Sequence, residues 1–272
     1  MKIIAHRGFS SLYPENTMLA FKKAYEMGVY ANELDVHLSK NKELIIIHDE
    51  KIDRTSDGQG FIKDHSLEEL QKYSFSYNKD FENIKISDID EYFSYFKDKD
   101  ILTNIEIKTN VIEYPNIEKL LMGKIYGYGL VDKVFISSFN LNSLKKIREI
   151  DTKIPLALLT SKKLNNIKSI CKDLNLQFYH PKNTAVSPDE IKELKNMGVL
   201  TNIWFSNKKE DHEKLEILNP NGIITNHVEK FIKKSSKMLD SDCWQTKNFP
   251  ISTECNERRN LMGSLHAFVS LT

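Results

Sequence analysis

The chain has little cysteine, and none of it is spaced for shared chemistry. Cys171, Cys243 and Cys255 are odd in number, far apart and without CxxC spacing, which argues against both a disulfide framework and a zinc site. Long apolar runs are missing as well. The opening stretch MKIIAHRGFSS loses its apolar run at His6 and Arg7, short of a secretory signal, and no later run reaches the length of a membrane span. Nor is there an excess of one charge. Lys and Arg number 39 against 38 Asp and Glu, a formal net charge of +1, so nothing electrostatic points to nucleic acid. These absences lead us to expect a soluble cytoplasmic protein with no integral membrane segment and no nucleic-acid partner.

What the chain does have is alternation. Short β-branched runs at 2–5, 30–36, 102–108, 133–138, 155–160, 177–181, 200–206 and 222–225 are separated by segments of helical period. The helical segments run over 17–27, 67–73, 86–96, 117–126, 141–150, 164–174, 188–197 and 210–218, and another follows the last strand at 228–239. Asn16 and Thr17 ahead of the first, and Ser187-Pro188 opening another that Gly198 closes, are start and stop signals. Eight strands with covering helices predict an α/β fold, a (βα)8 TIM barrel. The barrel is expected over 1–239. The tail 240–272 shows no period and receives no function.

The run LIIIH at 44–48 is a ninth strand. Residues 37–43 are too few for a helical crossover, so it must return antiparallel as a hairpin. With Asn41-Lys42 as a two-residue turn, Lys40 pairs with Glu43, Asp35 falls opposite His48, and Glu33 opposite Glu50. Residues 51–85, rich in turn formers and in aromatics (Phe61, Tyr73, Phe75, Tyr77, Phe81), form a small insertion after that hairpin. Two readings of it stand side by side: a lid facing substrate, or a loop packing its aromatics on the barrel rim.

Strand parity locates the chemistry. In NELDV, Glu33 and Asp35 share one face while Leu34 and Val36 take the other, helix-covered face. In TNIEIK, Glu106 and Lys108 share the polar face. HRG at the end of the first strand delivers His6 and Arg7, with Gly8 allowing a sharp exit. These strands are neighbours and barrel sites sit at the C-terminal ends of strands, so the residues converge. Three converging carboxylates repel one another unless a cation lies among them. A hard divalent ion, Mg²⁺ or Ca²⁺, held by Glu33, Asp35 and Glu106 would resolve this; pairing with Arg7 and Lys108 alone is the structural alternative. His6 and His48 together are a candidate acid and base pair. A metal, two cations and two histidines suit an anionic ester, most economically a phosphodiester, with Arg7 and Lys108 on the phosphoryl oxygens. Glu15, in a loop before a helix capped by Asn16 or Thr17, is expected to be structural.

The ordered series HRG (6–8), PENT (14–17), ELDV (33–36), IHD (47–49), RT (54–55) and NIEIK (104–108) resembles the glycerophosphodiester phosphodiesterases. ISSF (136–139), HP (180–181), Trp204 and GIITN (222–226) agree with it. The resemblance covers roughly residues 1–238. It implies a barrel that hydrolyses small-molecule glycerophosphodiesters to sn-glycerol 3-phosphate and an alcohol, through a cyclic phosphate formed by the glycerol 2-hydroxyl. It also implies His6 and His48 as acid and base, Glu33, Asp35 and Glu106 as metal ligands, and Arg7, Lys108 and Trp204 as substrate contacts. WFSN (204–207) departs from the Trp-Thr-Val-Asn usual in relatives, which bears on the contacts made there. Two alternatives stay open: a lysophospholipase D or sphingomyelinase D type enzyme of the same superfamily, and a non-catalytic barrel that binds phosphorylated ligands.

Overall fold

The β-branched runs become parallel strands wherever a helical segment separates them. In the computed structural model of the chain, which describes residues 1–76, 80–205 and 209–232, the strands are β1 Lys2–His6, β2 Ala31–Leu38, β3 Leu44–Ile46, β4 Leu102–Ile107, β5 Val134–Ser138, β6 Leu156–Thr160, β7 Phe178–Pro181, β8 Leu200–Trp204 and β9 Gly222–Thr225. The helices are α1 Met18–Glu26, α2 Leu67–Leu70, α3 Ile89–Phe96, α4 Ile117–Gly127, α5 Leu141–Ile150, α6 Ile167–Asp173, α7 Pro188–Asn196 and α8 Lys209–Leu218. Strands run in the order β1-β9-β8-β7-β6-β5-β4-β2, and β1 pairs with β2 to close the ring. This is the expected (βα)8 barrel, with β3 attached outside it. Met1–Lys234 forms one compact unit. Among the described residues no helix is long and apolar enough to cross a membrane. Residues 233–239 of the helical segment expected at 228–239, the tail from residue 240 with Cys243 and Cys255, and Tyr77, Ser206 and Asn207 lie outside the described residues.

Parity works as read. Leu34, Val36, Ile105 and Ile107 join one apolar layer with Phe21 of α1, Tyr92 and Phe93 of α3, and Leu121 and Ile125 of α4. Alternate residues on the same strands are left to the barrel interior. Caps bound the helices as their sequences indicate. Thr17, not Asn16, caps α1, its Oγ1 accepting from Ala20 N at 3.2 Å, and Ser187 caps α7 ahead of Pro188. Helix α3 starts three residues later than its period suggests, because Ser87 and Asp88 are drawn onto the β3 edge: Ile46 N donates to Ser87 O, and Ile45 bridges Asp88.

The hairpin register departs from expectation by one residue. Val36 pairs with Ile46, His37 with Ile45 and Leu38 with Leu44, so Ile47, not His48, meets Asp35, with Ile47 N donating to Asp35 O at 3.1 Å. The turn contains three residues, not two: Ser39 N donates to Glu43 O at 3.0 Å, Lys42 N to Ser39 O at 3.0 Å, and Lys42 sits at φ 65°. A type I turn followed by a left-handed residue is the next commonest hairpin solution. Ser39 favours it, because its hydroxyl accepts from Asn41 N and Glu43 N and donates to Glu43. Glu33 and Glu50 do not pair, since β3 ends at Ile46.

The insertion has a core of its own. Ile45 of β3 and Ile47 just after it pack with Ile52, Ile62, Leu70, Phe75 and Ile86. Phe75 is buried there, Tyr73 lies against Gly58, and Phe81 stacks on Tyr13 at 5.6 Å. Of the two readings of these aromatics, packing accounts for Phe75, Tyr73 and Phe81.

Candidate active site

The barrel mouth is built from tight exits at strand ends. After His6 the chain turns through two left-handed residues, Arg7 at φ 57° and Gly8 at φ 76°, with Gly8 N donating to Ala5 O at 3.1 Å. The turn aims the Arg7 backbone N–H at Glu33 Oε2, 2.8 Å away. A Cβ on Gly8 would lie 2.7 Å from the Ala20 carbonyl carbon, backbone that cannot yield cheaply. Gly8→Ala is therefore expected to destabilise the fold by about 1–3 kcal/mol, which chemical denaturation would read.

Parallel register sets the acidic residues side by side: His6 pairs with Glu33, and Asp35 with Glu106. One oxygen from each of Glu33, Asp35 and Glu106 lies within 4.8 Å of the others, and the three residues are 0–5% exposed. Two cations attend them, Lys108 buried and Arg7 half-buried. Lys108 Nζ is 2.8 Å from Glu106 Oε1 and 3.7 Å from Asp35 Oδ1, and Arg7 Nε is 3.5 Å from Asp35 Oδ2. Asn16 Nδ2 donates to Asp35 Oδ2 at 2.9 Å.

The charges do not balance within this set, and the proton affinities say so. Burial pushes Glu33 well above the usual carboxylate range, helped by repulsion from Asp35 and Glu106. Burial likewise lifts Glu106 to about 7, with Lys108 opposing and Asp35 adding. For Asp35 burial acts in the same direction, but Lys108, Arg7, His48 and the Asn16 hydrogen bond outweigh it and hold it well below its ordinary value. Lys108, though burial disfavours its charge, is raised by Asp35 and Glu106. Asp35 Oδ1, buried, has no hydrogen-bond partner. Three hard oxygen donors, one without a hydrogen-bond partner and two raised by burial and by the neighbouring acids, fit a divalent cation.

Each histidine is held by its Nδ1. His6 Nδ1–H donates to Asn226 Oδ1 at 2.6 Å, which leaves Nε2 unprotonated. Burial, and then the Arg7 charge, push His6 down to about 3. His48 Nδ1–H donates to Asp49 Oδ1 at 2.6 Å. The slipped register would send His48 toward the helix layer with Leu44 and Ile46 if the strand continued. It does not continue: residues 48–50 bend out of the ladder, and the charge of His48 acts on both Asp35 and His6. His37 holds this bend, donating from Nε2 to His48 O at 2.9 Å, while Tyr114 is 3.0 Å from its Nδ1.

Trp204 ends β8 at the same mouth, half-buried, its indole N–H donating to His180 O at 3.1 Å. Its ring meets Phe139 edge-on at 6.1 Å, and Lys182 Nζ stands 5.8 Å from its centroid. His180 is buried, its Nε2 3.0 Å from Asn202 Nδ2. Glu15 is neither cap nor ligand: it takes Arg7 Nη1 at 2.9 Å and a fork from Arg54. Sequence reading gave no role to Asn226, Asp49 or Arg54, or to Asn16 beyond a cap, although all four stand inside the ordered motifs.

A closed (βα)8 barrel whose mouth gathers a buried acidic triad, two cations and two anchored imidazoles is suited to an anionic ester such as a phosphodiester. Residues 6–230 match the family model described as the glycerophosphoryl diester phosphodiesterase family. The chain belongs to that family and is a phosphoric diester hydrolase. It is 38% identical over 232 residues to a glycerophosphodiester phosphodiesterase of Caldanaerobacter subterraneus subsp. tengcongensis, covering 85% of this chain and 96% of that one. The crystal structure of a glycerophosphodiester phosphodiesterase from Thermotoga maritima is similar with TM-score 0.70 and 25% identity, covering 85% and 97%. That of an Oleispira antarctica phosphodiesterase, in complex with the product sn-glycerol-3-phosphate, shares the fold with TM-score 0.75 and 21% identity, covering 89% and 97%.

Proposed function

We propose that residues 1–239 hydrolyse glycerophosphodiesters to sn-glycerol 3-phosphate and an alcohol, with a Mg²⁺ or Ca²⁺ ion held by Glu33, Asp35 and Glu106. The observation that carries the reading is the triad itself: buried carboxylates in direct register, too close to share the mouth with a phosphate unless charge is added. A bound divalent ion supplies Lewis-acid polarisation of the phosphoryl oxygens. Arg7 and Lys108 remain charged and stand where they can neutralise negative charge growing on those oxygens. Neutral His6, its Nδ1 proton fixed on Asn226, takes the proton of the attacking oxygen at Nε2. His48, with Asp49 facing the positive charge of its protonated ring, donates to the leaving oxygen from Nε2. When the attacker is the glycerol 2-hydroxyl the product is a cyclic phosphate. Water then opens it, His48 now taking the proton and His6 returning one. Trp204 contacts the substrate outside this centre.

A small headgroup is favoured over an acyl chain because Phe75 and Tyr73 pack within the insertion. The test is hydrolysis of glycerophosphocholine against its lyso-acylated analogue, with faster turnover of the former expected. Metal binding should depend on pH. Glu106 at about 7 and Glu33, also raised, hold protons that an ion must displace. Affinity therefore rises with pH, about tenfold from pH 6 to pH 8 for one such proton and more steeply for two. Calorimetric titration with Mg²⁺ or Ca²⁺ at the two values reads this directly.

A further inference from the structure

The RT pair of the sequence series has no part in the chemistry above, yet Arg54 is the most heavily hydrogen-bonded cation at the mouth. Its Nε and Nη2 donate to Asp49 Oδ2 and Oδ1 at 2.6 and 3.0 Å. Its Nη1 and Nη2 donate to Glu15 Oε2 and Oε1 at 2.9 and 2.7 Å. One planar guanidinium thus grips two carboxylates along two of its edges, a geometry that lysine cannot copy. Each carboxylate continues to a functional group. Asp49 Oδ1 also takes Nδ1–H of His48 at 2.6 Å, and Glu15 Oε1 also takes Nη1–H of Arg7 at 2.9 Å. Charges alternate along Arg7, Glu15, Arg54 and Asp49 to His48.

We infer that Arg54 is a positioning residue for the proposed reaction: it fixes the His48 ring through Asp49 and ties that ring to the phosphate-binding Arg7 through Glu15. The insertion thereby acquires a function. Arg54 follows Ile52, which is buried in the insertion core and whose backbone accepts from Thr55 N and Ser56 N and donates to Gly60 O. The core of the insertion sets where the guanidinium stands. Arg54 is about one-third exposed at its side chain, and an ion pair this exposed adds little to folding unless its geometry serves something else. His48 is then held twice, its carbonyl by His37 and its ring by Asp49. Burial raises Asp49, but the Arg54 and His48 hydrogen bonds and their charges outweigh it and bring it to about 2, so it stays an acceptor for the ring.

The inference rests on the proposed function for its kinetic consequence but not for its structural one, and the test reads both. The full-length chain and its variants R54A, R54K, D49N and R54A/D49N are assayed on glycerophosphocholine with Mg²⁺ or Ca²⁺. The ring nitrogens of His48 are followed by ¹H–¹⁵N NMR. R54A is expected to lower kcat about 10- to 100-fold, the usual effect of losing a partner that orients a functional ligand, with KM changed by less than about threefold. R54K should not rescue it, and R54A/D49N should be no more than about threefold slower than D49N, because most of the effect of Arg54 passes through Asp49 and only the remainder through Glu15. In its neutral form, the one that takes the proton in the second step, the His48 ring should hold one Nδ1–H tautomer in the wild type and exchange between tautomers in R54A or R54K; if R54A fails to fold, R54K carries the comparison. A variant kcat within twofold of wild type, a loss confined to KM, losses that multiply in the double variant, or an unchanged His48 spectrum overturns the inference. A wild type that hydrolyses no glycerophosphodiester, with His48 nonetheless released in R54A, instead sinks the proposed function and leaves the clamp standing.

Discussion

Alanine at His48 is expected to lower kcat about 10²- to 10⁴-fold, the range for removal of a positioned acid or base, with the fold intact. The expectation comes from how the ring is attached. Its Nδ1 is committed to Asp49 and its backbone to His37, so the free Nε2 is the group left for proton transfer. Alanine at His6 should cost a similar factor, since its Nδ1 is equally committed, to Asn226. The two losses should not multiply. Protonation of one oxygen and deprotonation of the other belong to one displacement, and residues that act as a unit lose nearly everything at the first deletion. The H6A/H48A variant is therefore expected within about tenfold of the slower single variant. Steady-state kinetics on the three variants, beside a thermal melt, check this. A His48→Ala enzyme with wild-type turnover would remove the residue from the chemistry.

The second large effect is at the acids. Asp35→Asn is expected to cost roughly 10³-fold or more in kcat/KM, because it removes a ligand charge at the centre of phosphoryl stabilisation. Stability should follow only in part, falling by about 1–3 kcal/mol at neutral pH without metal, since an Asp35 held below its ordinary value favours the folded state while ionised. Removing a buried charge normally strands its partners at a larger cost, but here each of the two cations keeps a second carboxylate: Lys108 holds Glu106 at 2.8 Å and Arg7 holds Glu15 at 2.9 Å through Nη1. Repulsion on Glu33 and Glu106, which Asp35 now intensifies, also falls. Activity and stability thus part company at this position, and kinetics together with denaturant unfolding measure the split. A large loss of stability at unchanged turnover would show Asp35 to be an ordinary buried ion-pair member.

The barrel and its acidic triad were legible because both follow from local periodicity. Alternation in NELDV and TNIEIK separates carboxylates from Leu34, Val36, Ile105 and Ile107, and the parallel neighbours β1, β2 and β4 then bring the polar sets together. The hairpin register was not legible, because it depends on Lys42 adopting φ 65°, which a lysine side chain does not announce. His48 reached the site for a different reason from the one its spacing suggested: the strand ended before parity could misdirect it. The supports of the site were hidden by distance along the chain. His6 and Asn226 are 220 residues apart, and Glu15 and Arg54 are 39 apart, so no window of sequence contains either pair. Glu15 reads as a residue ahead of a helix cap until Arg54, delivered by the insertion, stands beside it.

The central claim is that the Glu33, Asp35 and Glu106 cluster works with a divalent ion to release sn-glycerol 3-phosphate. The most direct test is enzymatic detection of that product from glycerophosphocholine, using the full-length chain stripped with EDTA and then given back Mg²⁺ or Ca²⁺. The account predicts no product from the stripped protein and full recovery with at least one of the two ions. Undiminished release of sn-glycerol 3-phosphate after stripping, or none under any condition, would contradict it.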